Sequence, residues 1–371
     1  MSNKKALVSV TNDLYTDQRV HKVCMFLHEN GFEVKLIGRH RKNSPEMDHR
    51  PYQWRRLNVL FDKGPLFYAF YNIFLFFYLL IQKKDVLVSN DLDTLLPNYL
   101  VSKFCRKKLV YDSHELFTEV PELVSRPKVQ RVWLKIEEAI FPKLKNVITV
   151  NESIAQIYRE KYQVDVKVVR NIASKRNVIP LKTKMDLGIP ENKFIVLLQG
   201  AWINMDRGGE ELLDAFKLLN DKFFLVIAGG GDVIDLLKER TQEYQLMDKV
   251  KFFPKMPYDE LCQITIQADL GVSFDKNTNM NYQFSLPNKL FDYIHSSVPV
   301  LVSDLVEIKR VVQQYQVGEI IEEVNPEKIA EAIQKIASDP IQYQKMKSNT
   351  QRASEELNWE NETKVLEEIY L

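Results

Sequence analysis

The chain has 371 residues, of which 45% are hydrophobic and 27% are charged, which is ordinary for a globular protein and long enough for two domains. Its 51 basic and 50 acidic residues give a formal net charge of +1, which argues against nucleic-acid binding driven by bulk charge. Cys24, Cys105 and Cys262 have no paired spacing, and the first ten residues have too short an apolar run for a signal peptide. We therefore expect a cytoplasmic protein with neither a disulfide framework nor a zinc site.

Strand-like apolar runs alternate with helical patterns along the chain. The runs are KALVSV, FEVKLIG, DVLVSN, KLVYDS, NVITV and VKVVRN in the first half, and FIVLLQG, FFLVIAGGG, KVKFFP, DLGVSF, VPVLVS and GEIIEE in the second. Continuous apolar runs predict strands that are buried on both faces, and their alternation with helices predicts parallel sheets built from βαβ units. We predict an α/β protein with two doubly wound Rossmann-like domains that face each other across a cleft.

The alternation is interrupted at residues 172–192, a polar stretch that contains two prolines. We place the domain boundary there, with an N-terminal domain of residues 1–172 and a C-terminal domain of residues 173–350. The last segment, residues 351–371, is expected to be a helix that returns to the first domain.

Residues 64–84 form an aromatic, almost uncharged segment whose length is near the lower limit for a membrane-spanning helix. Asn72 in its middle and the strand that follows favour a buried helix of an α/β domain. Two alternatives remain, a membrane span and a helix that contacts the membrane surface. The second would be helped on anionic lipid by nearby cations, namely Arg55, Arg56, Lys63, Lys83 and Lys84.

Polar residues follow three strands of the first half. They are Asp13, the NDLD sequence that contains Asp91, and the His114–Glu115 pair. Because the carboxyl ends of parallel strands share one sheet edge, we expect these side chains to lie near a ligand site. The alternatives are a turn-capping role for Asp13 and a structural role for His114.

The second half contains three loops that precede helices or follow strands. In QGAWINMDRGG, the glycines permit close backbone approach, and Arg207 adds a bidentate donor at a helix start, where phosphate binds well. In VIAGGGD, three glycines follow a strand. In SLPNKLFDY, Lys289 and Asp292 share one helix face, so that the first can neutralise a diphosphate and the second can accept hydrogen bonds from ribose. The alternatives are turn glycines and a surface salt bridge.

Taken together, QGAWINMDRGGEELLDAF, AGGGD, FFPKMPYDEL and SLPNKLFDYIHSSVPVLVSD resemble the nucleotide-sugar half of glycosyltransferase family 4, the retaining enzymes of the GT-B fold. The first half resembles the acceptor half of that family through DQRVHKVCMFLHENGFEVKLIG, DVLVSNDLDTLLP, LVYDSHELF and VNESIAQIY. The resemblance covers nearly the whole chain and implies an N-terminal acceptor-binding domain and a C-terminal nucleotide-sugar-binding domain.

The resemblance also implies roles for individual residues. Arg207 and Lys289 would hold the donor diphosphate and, with His114, form the catalytic set. The expected acceptor-binding residues are Asp13, Asp91, His114 and Glu115. The expected donor-binding residues are Gly200, Arg207, Gly208, Gly229, Gly230, Lys255, Met256, Ser285, Leu286, Pro287, Lys289 and Asp292.

The chain departs from the family pattern at three positions. The paired-Glu motif has its first Glu at the position of Phe284, and Ser285 is the nearest polar residue. No basic residue follows Arg207 closely, so Lys289 is expected to supply that charge from the other loop. The Gly that usually precedes the PV strand is Ser297.

We therefore expect a hexosyltransferase that moves sugar from a nucleotide-diphosphate donor to a glycan or lipid-linked acceptor, with retention of configuration, no cofactor and no metal. NDLD contains an Asp-x-Asp pattern, which binds a metal ion in enzymes of the other large glycosyltransferase fold. The two-domain pattern of this chain argues against that fold. Alternatives are a nucleotide-sugar epimerase of the same fold, a non-catalytic nucleotide-sugar-binding protein, and a periplasmic-type ligand-binding protein. The aromatic segment suggests work at the inner face of the membrane, in cell-surface polysaccharide or glycolipid assembly.

Overall fold

The structure is a computed structural model that describes residues 3–15, 17–175 and 179–371, so residues 176–178 of the predicted boundary lie outside the described residues. The chain divides into two compact units. The first unit comprises Met1–Asn171 and Glu362–Leu371, and the second comprises Ile172–Asn361.

The first unit is a parallel sheet with the strand order β3-β2-β1-β4-β5-β6-β7. Its strands are β1 (Lys5–Ser9), β2 (Glu33–Arg39), β3 (Gln53–Leu57), β4 (Val86–Asn90), β5 (Lys108–Ser113), β6 (Val147–Thr149) and β7 (Val166–Val168). Its helices are α1 (Gln18–Glu29), α2 (Gly64–Ile81), α3 (Leu92–Cys105), α4 (Pro121–Val124), α5 (Pro127–Ile140) and α6 (Glu152–Tyr162). The order 3-2-1-4-5-6 places the reversal of strand order between β1 and β4, where Rossmann-like sheets bind ligands.

The second unit repeats this order in a parallel sheet, β10-β9-β8-β11-β12-β13. Its strands are β8 (Phe194–Gly200), β9 (Phe223–Gly229), β10 (Val250–Phe253), β11 (Leu270–Ser273), β12 (Val300–Ser303) and β13 (Gly318–Ile321). Its helices are α7 (Gly209–Phe216), α8 (Ile234–Glu243), α9 (Tyr258–Thr265), α10 (Met280–Gln283), α11 (Asn288–His295), α12 (Val306–Tyr315), α13 (Pro326–Ser338) and α14 (Pro340–Glu356).

Strand β8 shows why its apolar run is continuous. Val196 and Leu198 pack into one core cluster, while Ile195 and Leu197 pack into a second cluster on the other face of the sheet. Both faces are therefore covered, as the sequence pattern requires. The prediction of two Rossmann-like α/β units is confirmed.

Helix α15 (Trp359–Tyr370) begins in the second unit, and most of its residues belong to the first. Glu362 accepts hydrogen bonds from the backbone N–H and the guanidinium of Arg170, at 2.6 Å in each case. Leu366 is completely buried, and Tyr370 is 2% exposed beside Phe26. The helix is therefore part of the first unit's core.

Helix α2 differs from the buried helix that the sequence favoured. One face, with Phe67, Tyr71, Leu75 and Leu79, is buried in a core cluster against the sheet. The opposite face is exposed and apolar, and we call it the apolar face; its residues are Leu66, Ile73, Phe74, Phe77, Leu80 and Ile81. By length and composition alone α2 is also apolar enough to cross a membrane, and 22% of it is buried within the protein. The interpretation as a buried helix is wrong for this face.

Candidate functional site

The carboxyl ends of β8 and β9 are joined by their glycine loops. The backbone N–H of Gly230 donates to the carbonyl of Gly200 at 3.1 Å, and the N–H of Ile203 donates to the carbonyl of Gly230 at 2.7 Å. The predicted donor-binding glycines therefore lie together at one sheet edge.

Packing alone already requires two of these glycines. Gly229 has φ 136°, and a Cβ there would lie 1.8 Å from the carbonyl oxygen of Gly200. Gly208 has φ 72°, and its Cβ would lie 2.3 Å from the Cβ of Phe274. Any side chain would separate these loops. Ligand contact by the glycines stays a prediction.

Arg207 precedes α7 and points to the end of β11. Its Nη1 lies 3.2 Å from Oδ2 of Asp275, whose side chain is fully buried. Its guanidinium carbon lies 4.8 Å from the centre of the Tyr282 ring, which is the geometry of a cation–π contact. These two partners fix the guanidinium at the carboxyl edge of the sheet.

Lys289, in the first turn of α11, lies in the same electrostatic cluster. Burial lowers the pKa of its ammonium, the charge of Asp275 raises it, and the charge of Arg207 lowers it again. The Oδ1 atom of Asp275 and the Oγ atom of Ser285 are buried without a hydrogen-bond partner in the described part of the chain. We call Arg207, Lys289 and Asp275 the cation cluster. The carboxylate of Asp275 thus interacts electrostatically with two basic side chains.

Asp292 follows Lys289 by one turn and is held by its neighbours. Its Oδ1 accepts from the hydroxyl of Tyr258 at 2.7 Å, and its Oδ2 accepts from Nε2 of Gln199 at 3.2 Å. Gln199 in turn accepts from the hydroxyl of Thr265 at 2.7 Å. The carboxylate is thus oriented beside the end of β8.

The remaining predicted donor residues surround this edge. Lys255 is exposed, with its Nζ 3.9 Å from the centre of the Trp202 ring, and Trp202 is 68% exposed. Met256 and Leu286 pack against the core cluster that contains Leu197. Pro287 is the N-cap of α11.

In the first unit, His114 lies among polar residues from the ends of β4 and β5. Its ring nitrogens are 3.4 Å from Oδ2 of Asp91, 3.2 Å from Oδ1 of Asn90 and 3.7 Å from Oδ2 of Asp112. Its backbone N–H donates to Asp91 at 2.8 Å. Burial opposes a charge on the imidazole, yet the two carboxylates outweigh it and raise the pKa of His114 to about 9.

The acids around His114 have opposite protonation preferences. Burial raises the pKa of Asp112, but Arg19, at 2.6 Å, and His114 together lower it to about 2. Burial and the charge of Asp91 raise the pKa of Asp93 to about 8. Asp91 has φ 56°, an unfavourable backbone conformation for an Asp, of the kind that concentrates at functional sites.

Two further predicted acceptor residues have structural partners. Asp13 accepts from the backbone N–H of Tyr15 at 3.0 Å, as a turn-capping Asp does, and from the guanidinium of Arg56 at 3.1 Å. The carbonyl of Glu115 accepts from the hydroxyl of Ser113 at 2.8 Å. Their contact with an acceptor stays a prediction.

Sequence reasoning missed Asp275, Gln199 and Asp112. All three stand at the carboxyl end of a buried strand or directly after it, which is the signal that selected His114. Within the described ranges, no group of three or more His, Cys, Asp and Glu side chains is arranged to hold a metal ion. The two acids of NDLD have separate partners, His114 for Asp91 and Thr11 for Asp93.

Two family models match the chain, one for each half. The model described as "Glycosyltransferase Family 4" matches residues 17–173, and the model described as "Glycosyl transferases group 1" matches residues 182–353. No curated protein matches the chain significantly in sequence.

Solved structures are similar over nearly the full length. A glycosyltransferase from Rickettsia africae has 16% identity and a TM-score of 0.76, with 100% of this chain and 98% of the other covered. Sucrose-phosphate synthase from Thermosynechococcus elongatus has 18% identity and a TM-score of 0.76, covering 99% and 98%. Anabaena HepE in complex with UDP-glucose has 15% identity and a TM-score of 0.73, covering 98% and 99%.

The two sheets and their strand order define a protein of the GT-B type. The chain belongs to glycosyltransferase family 4, and it is a glycosyltransferase.

Proposed function

We propose that this protein transfers a hexose from a nucleotide-diphosphate sugar to a hydroxyl acceptor, with retention of configuration and without a metal ion. The observation that carries the proposal is the cation cluster at the carboxyl edge of the second sheet. Its Lys289 lies one turn of α11 before the oriented carboxylate of Asp292. Two cations suit a diphosphate, and a carboxylate suits the hydroxyls of a ribose. The complex of Anabaena HepE with UDP-glucose supports a donor of this class.

The cations would act on the leaving group. As the bond between the anomeric carbon and the diphosphate oxygen breaks, its electron pair stays on that oxygen and the sugar becomes positively charged. Arg207, Lys289 and the N-terminal ends of α7 and α11 would stabilise the growing negative charge. Losing one such donor typically costs about 3 kcal/mol of transition-state stabilisation.

The acceptor side of the proposal rests on His114 and its neighbours in the first unit. The acceptor hydroxyl would attack from the face that the nucleotide leaves, and its proton would pass to the departing diphosphate. No protein nucleophile is then required, and configuration is retained. His114, held between Asp91 and Asp112, would orient the acceptor or bond the transferred sugar.

Calorimetry with UDP, GDP, ADP and dTDP, and with their sugars, tests the donor site without added metal. We expect tight binding of one nucleotide and a loss of about a hundredfold for Arg207→Ala combined with Lys289→Ala. Lys309→Ala removes a cation of α12 that is paired with Asp304, and it should leave nucleotide affinity unchanged. If no nucleotide binds to the wild-type protein, the donor assignment is wrong.

Two other functions of the same site would give different products. An epimerase would convert the nucleotide sugar in the absence of any acceptor, and a non-catalytic binding protein would bind it without turnover. Phe284 in place of the first acid of the motif keeps the second alternative open. Product analysis with and without acceptor mixtures separates the three outcomes.

We also propose that α2 contacts the inner face of a membrane through its apolar face, in cell-surface polysaccharide or glycolipid assembly with a glycan or lipid-linked acceptor. The exposed apolar residues include Phe77 at 59% and Ile81 at 76% exposure. Contiguous exposed apolar surface of this kind marks interaction sites. Phe77→Ser with Ile81→Ser should abolish co-flotation with vesicles, and unchanged partition would contradict the contact.

A further inference from the structure

A shallow pocket lies in the first unit where the edge strand β3 meets α2. Its volume is about 470 Å³, and it is lined by Lys35, Tyr52, Gln53, Trp54, Arg55 and Tyr78. Lys35 and Gln53 are register partners in β2 and β3, in the amino-terminal halves of those strands. His114 and Asp91 follow the carboxyl ends of their strands, so the pocket is separate from the candidate acceptor site.

Tyr78 connects this pocket to the apolar face of α2. Phe77 and Ile81, its neighbours on the helix, are exposed apolar residues. On the other flank of α2, Phe76 contacts Phe104 of α3, with ring centroids 6.3 Å apart, and Phe104 is 70% exposed. The exposed apolar surface thus extends from α3 across α2 to the edge of the pocket.

Positive charge surrounds this surface. Residues 64–84 contain no Asp or Glu, and Lys83 after α2 is exposed, whereas the ammonium of Lys84 is buried and donates to carbonyls at the end of α2. Lys103 and Arg106 are exposed on either side of Phe104. In the pocket, Arg55 is exposed, and Lys35 donates from Nζ to Oε1 of Gln82 at 3.3 Å, which holds its ammonium beside the end of α2.

The pocket combines the groups that a lipid headgroup requires. Arg and Lys donate to phosphate oxygens, and Trp and Tyr are the side chains that accumulate at the level of the headgroups. Trp54 is 43% exposed at the rim, with the guanidinium of Arg56 at 5.9 Å from its ring. Cations on an edge strand also discourage sheet pairing, but that role requires neither the aromatic lining nor the adjacent apolar face.

We infer that this pocket binds the phosphate of an anionic phospholipid headgroup while the apolar face of α2 lies in the same leaflet. The inference rests on the membrane contact proposed above and adds the ligand class. The bound lipid is a membrane component that holds the enzyme, and it is distinct from the sugar acceptor because the pocket lies at the other end of the sheet.

The test compares two double variants with equal loss of charge. Lys35→Gln with Arg55→Gln removes the pocket cations, and Lys103→Gln with Arg106→Gln removes two cations of the same surface outside the pocket. Co-flotation is measured with vesicles of phosphatidylcholine alone and of phosphatidylcholine mixed with phosphatidylglycerol. Calorimetry with soluble dihexanoyl-phosphatidylglycerol, dihexanoyl-phosphatidylcholine and glycerol 3-phosphate examines the pocket without a membrane.

We expect the pocket variant to lose more affinity for the anionic vesicles than the roughly thirtyfold that two cations near such a surface contribute by diffuse attraction alone, because the pocket cations also contact the headgroup phosphate. It should also lose binding of dihexanoyl-phosphatidylglycerol, whereas the control variant keeps that binding and loses less on vesicles. Both variants change exposed or half-buried side chains, and an unchanged melting temperature verifies that they fold.

Other results overturn the inference in distinguishable ways. Equal losses in both variants would mean diffuse electrostatic attraction without a pocket. Equal wild-type binding to neutral and anionic vesicles would preserve the membrane contact and remove the headgroup site. Binding of the soluble lipid without any vesicle binding would remove the membrane contact itself. Binding of glycerol 3-phosphate as tight as that of the lipid would assign the pocket to a soluble phosphate compound.

Discussion

At the scale of single residues, the two candidate sites use buried charge in the same manner. In the second unit, Asp275 holds Arg207 and influences Lys289. In the first unit, Asp91 and Asp112 hold His114. In both cases a carboxylate at a strand end contacts a cation that the sequence marks as functional, so we propose that the carboxylates act as positioning residues.

Asp275→Asn tests this role for the cation cluster. The charge of Asp275 raises the pKa of Lys289, so its removal should lower that pKa further. We expect nucleotide affinity to fall about tenfold at pH 7, and its alkaline loss to begin at a lower pH than in the wild type. Calorimetric titrations across a pH series measure both effects.

A suitable control is Glu319→Gln, which removes a carboxylate that is paired with Lys335 at 3.3 Å. It should leave the pH profile of nucleotide binding unchanged. If the Asp275 variant has the wild-type pH profile and loses only stability, Asp275 is purely structural.

His114 makes the stability of the first unit depend on pH. Its folded-state pKa of about 9 lies above the ordinary 6.5, so its stabilising contribution is complete below about pH 6.5 and is lost as the pH rises through 9. His114→Gln should therefore flatten the unfolding free energy between pH 6.5 and 9, which denaturant titrations measure.

His21 provides the opposite case in the same unit. Burial and the charge of Arg50 lower its pKa, so His21→Gln should change the acid side of the profile and leave the alkaline side intact. Parallel profiles for the wild type and His114→Gln would show that the imidazole is not charged in the folded protein.

At the scale of elements, strand prediction succeeded where a strand contains a run of apolar residues. In the described part of the chain, the twelve predicted apolar runs all correspond to strands, and β3, QWRRL, was missed. Three of its five residues are exposed, because it is an edge strand with little cover. Edge position alone does not explain the miss, since the edge strands β7, β10 and β13 were predicted; β3 was missed because QWRRL contains three polar residues and no continuous apolar run.

Helix α11 explains one departure from the family pattern. It ends in a Schellman motif, in which Val298 donates to the carbonyl of Tyr293 at 2.9 Å and Ser297 has φ 57°. This left-handed position favours glycine, which is the residue that the family usually has there. Ser297→Gly should raise the unfolding free energy by about 0.5–1 kcal/mol, measured by denaturant titration.

The substitution Ser296→Gly is the matched comparison, because Ser296 at φ −90° gains nothing from glycine. A destabilised Ser297→Gly variant would mean that the hydroxyl of Ser297 matters more than its backbone conformation.

At the scale of the whole molecule, each unit has its own sheet and core, so we expect unfolding in more than one calorimetric transition. A nucleotide at a hundred times its Kd should stabilise the second unit by about 2.7 kcal/mol and move only that transition. Leu366→Ala, in the buried part of α15, should lower the unfolding free energy of the first unit by about 2–5 kcal/mol and so lower the temperature of its transition. Scanning calorimetry with and without nucleotide measures both.

The two calorimetric scans can also contradict the assignment of the nucleotide site to the second unit. If nucleotide shifts both transitions equally, or if Lys289→Ala responds to nucleotide as the wild type does, the ligand does not bind where the cation cluster lies.

Local patterns were sufficient for the two-unit α/β architecture and for placing Arg207, Lys289 and His114 at strand and helix ends. Burial periodicity and backbone conformation are properties of a few neighbouring residues, and they are therefore readable from short runs. Asp275, which lies 68 positions from its partner Arg207, and Gln199, which lies 93 positions from Asp292, became site residues only through strand order. The exposure of one face of α2 was also decided by the tertiary structure. Whether a second layer covers a helix that packs on a sheet depends on elements that are distant in the chain.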